Sequence, residues 1–410
     1  MKLFDVDTVA QAKKKLVDFI GTDFLKTEII PVDSALGMVC AEEIRSRIDV
    51  PGFLRSTVDG YAVIAKDTQG AGEGIPAFLK VAGEVLMGQQ ADRPISSGEC
   101  IYVPTGGMLP PGADAMVMVE YCEPFGAGDV AVYNAVSAGR NTIEQGEDTG
   151  RGAVIIEKGT VIKAQHIGAM ASCGVNEVCV FKPLRVTVIS TGDEILSPRE
   201  DIQPGKIYDI NTYSIAAMAE TYGHKVIEKA VVPDQEDLLF QTFQKAMAES
   251  DLVCISGGSS QGKKDMTGRL IDQLASPGVF THGLALKPGK PTILGYDESS
   301  STLLCGLPGH PAAAVMVFEL IVMDALAQLQ GRREPIYVYA DMEMNLGCDA
   351  GKTNCIMVKL LPEKGGYTAR PILGKSGLIS VLTEADGYIV TEHNLEGIKA
   401  GETVKVRLFR

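Results

Sequence analysis

Two polar loops and one lysine turn hold the residues of this chain best suited to chemistry. Thr191-Gly-Asp-Glu194 sets two carboxylates beside a flexible glycine. Ser256-Gly-Gly-Ser-Ser-Gln-Gly262 runs into Lys263-Lys-Asp265, so backbone N–H groups, cations and a carboxylate adjoin. Leu284-Ala-Leu-Lys-Pro-Gly-Lys-Pro291 holds Lys287 and Lys290 in a stiff turn. Glycine backbone cradles anions, and carboxylates hold hard divalent cations through oxygen. The combination suits a phosphorylated ligand with a divalent metal. Structural readings stand beside these. Asp265 can cap a short helix marked by Met266, Leu270 and Leu274, or bind metal. The lysines can sit in a mere connector, but two of them stiffened by prolines and a glycine favour an anion clamp.

The elements around these loops form an alternating series. Residues 185–190 are a β-branched run that reads as a buried strand ending at the first loop. Ile215, Met218, Ala219 and Tyr222 recur at helical spacing, with Asn211 a fair N-cap and Gly223 a fair stop. Residues 225–232 read as a strand, 236–250 as a helix and 252–255 as a strand entering the second loop. Strand–helix alternation implies a parallel sheet with right-handed crossovers, and ligands bind beyond the carboxyl ends of such strands. Loops 191–194 and 256–265 both fall there. The second nearly spells a triphosphatase phosphate loop, but Lys264 stands where a magnesium-binding Ser or Thr belongs. No Gly-x-Gly-x-x-Gly opens the first helix, which argues against a dinucleotide site.

Bulk properties exclude several classes. The 410 residues suffice for two to four domains, and 45% hydrophobic residues supply real cores. A net charge of −14 argues against non-specific nucleic-acid or anionic-membrane binding. An anionic substrate therefore needs local basic pockets. Nine cysteines without a Cys-x-x-Cys read as reduced cytoplasmic thiols rather than disulfides or zinc ligands. The acids in Met1-Lys-Leu-Phe-Asp-Val-Asp7 do not suit a signal peptide, and no apolar run is read as reaching membrane-spanning length.

The remaining chain frames the loops. Residues 8–20 read as an amphipathic helix whose Lys13, Lys14 and Lys15 form a solvated face, and a second short helix is expected over 34–41. Asp59-Gly60 is a turn signal; Asp59 itself reads as a turn residue ahead of a catalytic one. Residues 78–133 are β throughout, with Pro104-Thr-Gly-Gly107 a polar turn in which Thr105 can simply bond its own backbone. Gly146-Glu-Asp148 is another acidic turn, followed by a strand at 153–156, a helix at 164–173, a strand at 178–181 and a boundary at Lys182-Pro183. A strand at 303–307 turns through Pro308-Gly-His-Pro311 into a long helix, 312–329; His310 there reads as capping, packing or chemistry. Strands at 337–344, 356–361, 388–391 and 404–408 read as a small closed β-barrel. The fold class is thus a multidomain α/β chain: a β-rich N-terminal region (1–180, with its β subdomain at about 51–139), a central parallel-sheet α/β/α domain (181–330) and a C-terminal β-barrel (331–410).

Taken together, the motifs resemble those of the molybdopterin molybdenumtransferase family, MoeA and the gephyrin E domain. The residues that carry the resemblance are Ser56-Thr-Val-Asp-Gly-Tyr-Ala-Val63, Pro104-Thr-Gly-Gly107, Gly146-Glu-Asp148, Thr191-Gly-Asp-Glu194, Ser256-Gly-Gly-Ser-Ser260 with Asp265, Lys287-Pro-Gly-Lys-Pro291, Leu307-Pro-Gly-His-Pro311 and Ser376-Gly-Leu-Ile-Ser380. The resemblance implies a cytoplasmic homodimer of elongated, four-domain subunits. It implies insertion of molybdate into adenylylated molybdopterin with release of AMP, with a molybdopterin adenylyltransferase as a further partner. Asp59, Asp148, Glu194 and Asp265 match the family's functional acids, and Glu194 and Asp265 would hold Mg2+. Thr105 matches a functional threonine; Gly257, Gly258, Ser259 and Pro308 fall in its substrate loops; Lys287, Lys290, Arg370 and Ser376 fall where it contacts molybdate and phosphate. The chain departs from the family at His310, commonly Asn; at Ala313, often Ser; at Lys263, often an acid; and at Gly283, sometimes basic, with His282 beside it. A tungstate-specific insertase and a non-catalytic pterin-binding or scaffolding paralogue are the alternatives.

Overall fold

The central strands carry the longest apolar runs, and they lie where such runs must, in the middle of a sheet covered on both faces. The computed structural model describes residues 6–257, 266–332 and 335–409. The 6-stranded central sheet has the order Lys225–Val232, Arg185–Thr191, Leu252–Ser256, Thr302–Leu307, Ile293–Asp297 and Pro277–His282. The first four strands are mutually parallel. The sheet is nevertheless mixed, because Ile293–Asp297 runs antiparallel to both its neighbours. Short turns join it to Thr302–Leu307, and a short turn can only return the chain antiparallel. Alternate side chains of the parallel strands point into two cores. Val186, Val188, Cys254, Leu303 and Cys305 meet the helices Asn211–Thr221 and Pro311–Leu329 on one face. Ile189, Val253, Ile255 and Leu304 meet Glu236–Glu249 and Met266–Leu274 on the other.

The N-terminal helix Val9–Ile20 belongs to the first of these cores, burying Ala12, Leu16 and Ile20 there. Thr8 and Gln11 close a reciprocal capping box at its start. Its lysines are not simply solvated. Lys13 reaches Asp324 at 3.3 Å and Lys15 reaches Asp7 at 2.8 Å. The helix expected over 34–41 does not form. A single 3-10 turn, Val32–Ser34, gives way to Gly37 at φ +81°, and Val39 and Cys40 then bridge to Val161 and Val180. A left-handed glycine ends helical propagation, and the β contacts take up the apolar residues that suggested a helix.

The N-terminal β subdomain is a 6-stranded sheet ordered Ala115–Met118, Gly60–Val63, Glu99–Val103, Ala77–Glu84, Asp129–Val132 and Cys122–Phe125. Gly60 is required there, since a Cβ would sit 1.9 Å from the Val117 carbonyl oxygen. The C-terminal strands Thr353–Glu363, Gly366–Pro371, Tyr337–Met342, Thr403–Leu408 and Gly387–Val390 close into a barrel through the pairing of the first with the last. The short strand Leu286–Lys287 adds to this barrel in parallel with Thr353 and Asn354. The lysine turn of the central domain is thereby stitched to the C-terminal domain. Contrary to the sequence expectation, the helical stretch Pro311–Leu329 is long and apolar enough to cross a membrane, but 78% of it is buried in the protein. Its middle turn, Phe318–Met323, is a π-helix.

Candidate active site

The carboxyl ends of the parallel strands are held in register by one amide. Asn211, expected to cap its helix, is instead the helix's first residue, and its side-chain nitrogen donates to Ser256 Oγ at 2.6 Å and to the Gly309 carbonyl at 2.8 Å. That clip joins the ends of two neighbouring strands. The loops 191–194 and 256–257 touch directly: Gly257 has φ +107°, and a Cβ there would lie 2.2 Å from the Thr191 carbonyl oxygen. The Glu194 carboxylate folds back over Gly192, where a Cβ would meet Glu194 Oε2 at 2.8 Å. Thr191 Oγ1 donates to Asp234 at 2.8 Å, and the Asp234 amide donates to Asp193 Oδ1 at 3.0 Å. Asp234 thus adds an acid that the sequence reading passed over. Its signal was available, since Val232-Pro-Asp234 follows the edge strand at the same end of the sheet. Beneath the loops Asp209 is buried, accepts from Ser190 Oγ at 2.8 Å, and has its carboxyl pushed up by burial.

Beside these loops, between the central domain and the barrel, lies a cleft of about 960 Å³. Lys287, Lys290, Pro308 and Ser376 all line it. So do Lys352, Lys375 and His310, the first two of which sequence reasoning missed because only barrel closure brings them here. Gly289, at φ +136°, packs so closely that a Cβ would strike Leu286 at 2.8 Å and Val317 at 2.9 Å, which fixes the lysine turn against the long helix. Asp349 binds Lys287 at 2.8 Å and Lys352 at 3.3 Å, and these hydrogen bonds hold its carboxyl below the usual carboxylate range. His310 Nδ1 meets Ser376 Oγ at 2.8 Å across the cleft. Four ammonium groups and one carboxylate line this cleft, in a chain whose net charge is −14. A small oxyanion finds its complement in this cleft.

Other expected site residues lie elsewhere. Asp59 accepts the Thr105 amide at 2.7 Å, so these two form one polar tip on the β subdomain. Asp148 sits in an exposed turn whose amide donates to the Val50 carbonyl at 3.1 Å. Among the described residues no hydrogen bond or ion pair joins Asp59, Thr105 or Asp148 to the central loops. Arg370 lies outside the cleft lining, paired with Glu343 at 2.7 Å on the barrel surface. Gly258, Ser259, Lys263 and Asp265 lie outside the described residues. Among the described residues no group of three or more His, Cys, Asp and Glu forms a metal cage. Asp193 and Glu194 offer exposed carboxylate oxygens at the strand ends, of the type a hard cation prefers.

Residues 7–174 match the MoeA N-terminal region (domain I and II). Residues 187–328 match the probable molybdopterin binding domain, and 344–409 the MoeA C-terminal region (domain IV). A molybdopterin molybdenumtransferase of Haemophilus influenzae is 31% identical over 407 residues, 98% of each chain. The chain belongs to the MoeA family. Another molybdopterin molybdenumtransferase, from Staphylococcus epidermidis, is 30% identical over 382 residues, 92% of this chain and 90% of its own. The MoeA fold is equally clear: the crystal structure of a molybdopterin biosynthesis MoeA protein from Pyrococcus horikoshii superposes with a TM-score of 0.84 at 34% identity, over 99% of this chain and 100% of that one.

Proposed function

We propose that the protein is a molybdopterin molybdenumtransferase of molybdenum-cofactor biosynthesis, inserting molybdate into adenylylated molybdopterin with release of AMP. The observation that carries this reading is the lysine-lined cleft beside the loops at the carboxyl ends of the central strands. The phosphoanhydride would lie along Gly257 and the loop after it, with Pro308 walling the same side. Breaking that bond leaves charge on the departing AMP and on the pterin phosphate. Mg2+ held by Glu194 and Asp265 would neutralise that charge when bound. Lys287 and Lys290 would hold molybdate, with Ser376 as a hydroxyl contact; Arg370 would guide anions from outside the cleft.

In this reading the Asp59–Thr105 tip, with Asp148 as a further acid, serves the cleft of a second subunit, so a two-fold homodimer carries two composite sites. Support comes from the tip itself, which among the described residues makes no hydrogen bond to its own central loops and sits beside exposed Met87. The adenylylated substrate would come from a molybdopterin adenylyltransferase, and the free thiols suit a reducing cytoplasm. The test is magnesium-dependent AMP release from adenylylated molybdopterin on adding molybdate, run beside tungstate. No AMP with either anion would reject the function. The dimer is tested by coexpressing Asp59→Ala and Asp265→Ala subunits. Sites shared between subunits should return about half of the parental activity in the isolated heterodimer, because both lesions fall in one site. Sites within one subunit should return none.

A further inference from the structure

One titratable group in the cleft has no part in the function above. His310 directly precedes Pro311 of the long helix, yet its side chain makes no capping bond to that helix. Its Nδ1 instead lies 2.8 Å from Ser376 Oγ. The Ser376 carbonyl also accepts from the Ala312 amide at 3.2 Å, so the serine is moored to the helix start at two points. We propose that His310 sets the direction of the Ser376 hydroxyl and so makes oxyanion capture in this cleft proton-dependent. The proposal rests on the reading of the cleft as the molybdate site.

Donor counting decides the direction of the hydroxyl. A serine hydroxyl has a single proton to give. In this proposal the neutral imidazole keeps its proton on Nε2, so Nδ1 is an acceptor and the serine spends its proton there; the other tautomer would donate to Oγ as the cation does and flatten the parent profile. Only lone pairs of Oγ then face the cleft, and these repel an oxyanion. With the imidazole protonated, Nδ1–H donates to Oγ and the hydroxyl proton is released to point at the anion. The charged groups that line the cleft with His310 are Lys287 and Lys290 from the lysine turn, Asp349 and Lys352 from the barrel loop, and Lys375 beside Ser376. Asp349 is held low by Lys287 and Lys352. It supplies no change between about pH 8 and about pH 6, the range in which an imidazole ordinarily titrates. His310 is a positioning residue here, acting through Ser376.

The experiment is calorimetric titration of the full chain with molybdate alone across that pH range. The parent should bind about fivefold more tightly at the acid end. His310→Asn keeps a permanent amide donor toward Ser376 Oγ, so it should bind at every pH with a flat profile. Ser376→Ala should bind more weakly and lose most of the slope, although the imidazole still gains its charge. A flat parent profile, a sloping His310→Asn profile, or an undiminished slope in Ser376→Ala would each overturn the proposal. A parent that binds no molybdate at any pH would instead overturn the reading of the cleft, and this inference with it. Unchanged thermal midpoints in both variants establish that binding, not folding, is being read.

Discussion

The central domain and the barrel meet at two joints of opposite character. One is dry. Arg407, 5% exposed on a barrel strand, reaches Asp324 at 2.9 Å and Glu319, 2% exposed in the π-helical turn, at 3.2 Å. Tyr222 adds its hydroxyl to Glu319 at 3.2 Å. The other is wet: Lys287, Asp349 and Lys352 pair in open solvent, and His310 meets Ser376 at the cleft mouth. Charges removed from water must keep their partners, because a lone buried ion is very costly. Exposed pairs exchange partners with water and salt at little cost. The dry joint therefore sets where the barrel sits, and the wet joint leaves cations free to meet a ligand.

The sharpest way to break this contrast is Arg407→Ala. It strands Glu319 and Asp324 without their cation and should cost about 3–5 kcal/mol of stability, read as a fall in the denaturant midpoint. Arg407→Met with Glu319→Leu and Asp324→Leu should recover much of that loss, since an apolar replacement of the whole group removes the stranded charge. A loss in Arg407→Ala no larger than in surface variants would show that the dry joint is ornamental. Next in size is the ligand side of the wet joint. Lys290→Gln and Lys287→Gln should each raise the molybdate concentration for half-maximal AMP release about tenfold, with the unfolding midpoint unchanged. Lys290→Gln is expected to have the larger effect, because Lys287 is already shared with Asp349.

Smaller still is Asp349→Asn. It frees Lys287 and Lys352 and should tighten molybdate binding about twofold, without moving the thermal midpoint. The pH sign follows from its depressed carboxyl. Asp349 stays ionised, and the pair persists, above the ordinary carboxylate range; both are lost as pH falls through the lowered value. The smallest effect expected is that of salt. Raising ionic strength should weaken molybdate binding while leaving the Arg407 joint, measured by barrel amide protection, intact.

Local pattern was enough to read the central strands, the helix Glu236–Glu249, the long helix and the β-rich character of both end regions. It was enough because period and burial act over neighbouring residues. The same signals located loop 191–194 and Gly257 at one end of the sheet, since the chain direction of parallel strands dictates which loops share an edge, whereas the lysine turn was marked only by its own prolines and glycine. Local pattern misled at residues 34–41, where apolar spacing was taken up by β bridges across a left-handed Gly37. It was silent on Pro277–His282 and on Ile293–Asp297, and the direction of the latter follows from the short turn that joins it to Thr302–Leu307.

What only the tertiary structure decided is which distant side chains share the cleft. Lys352 and Lys375 carry no local mark that separates them from surface lysines, and barrel closure brings them to Lys287 and Lys290. Asn211 looked like a cap until the strand ends it ties together, Ser256 and Gly309, were adjacent in space. His310 and Ser376 stand 66 residues apart and meet only when the barrel docks on the long helix. The division has one physical cause. Sequence determines what each segment can bury and where it must turn, because those preferences act within a few residues. The site's polar contacts are long-range pairings, and they exist only after burial of the apolar faces has fixed where each domain lies.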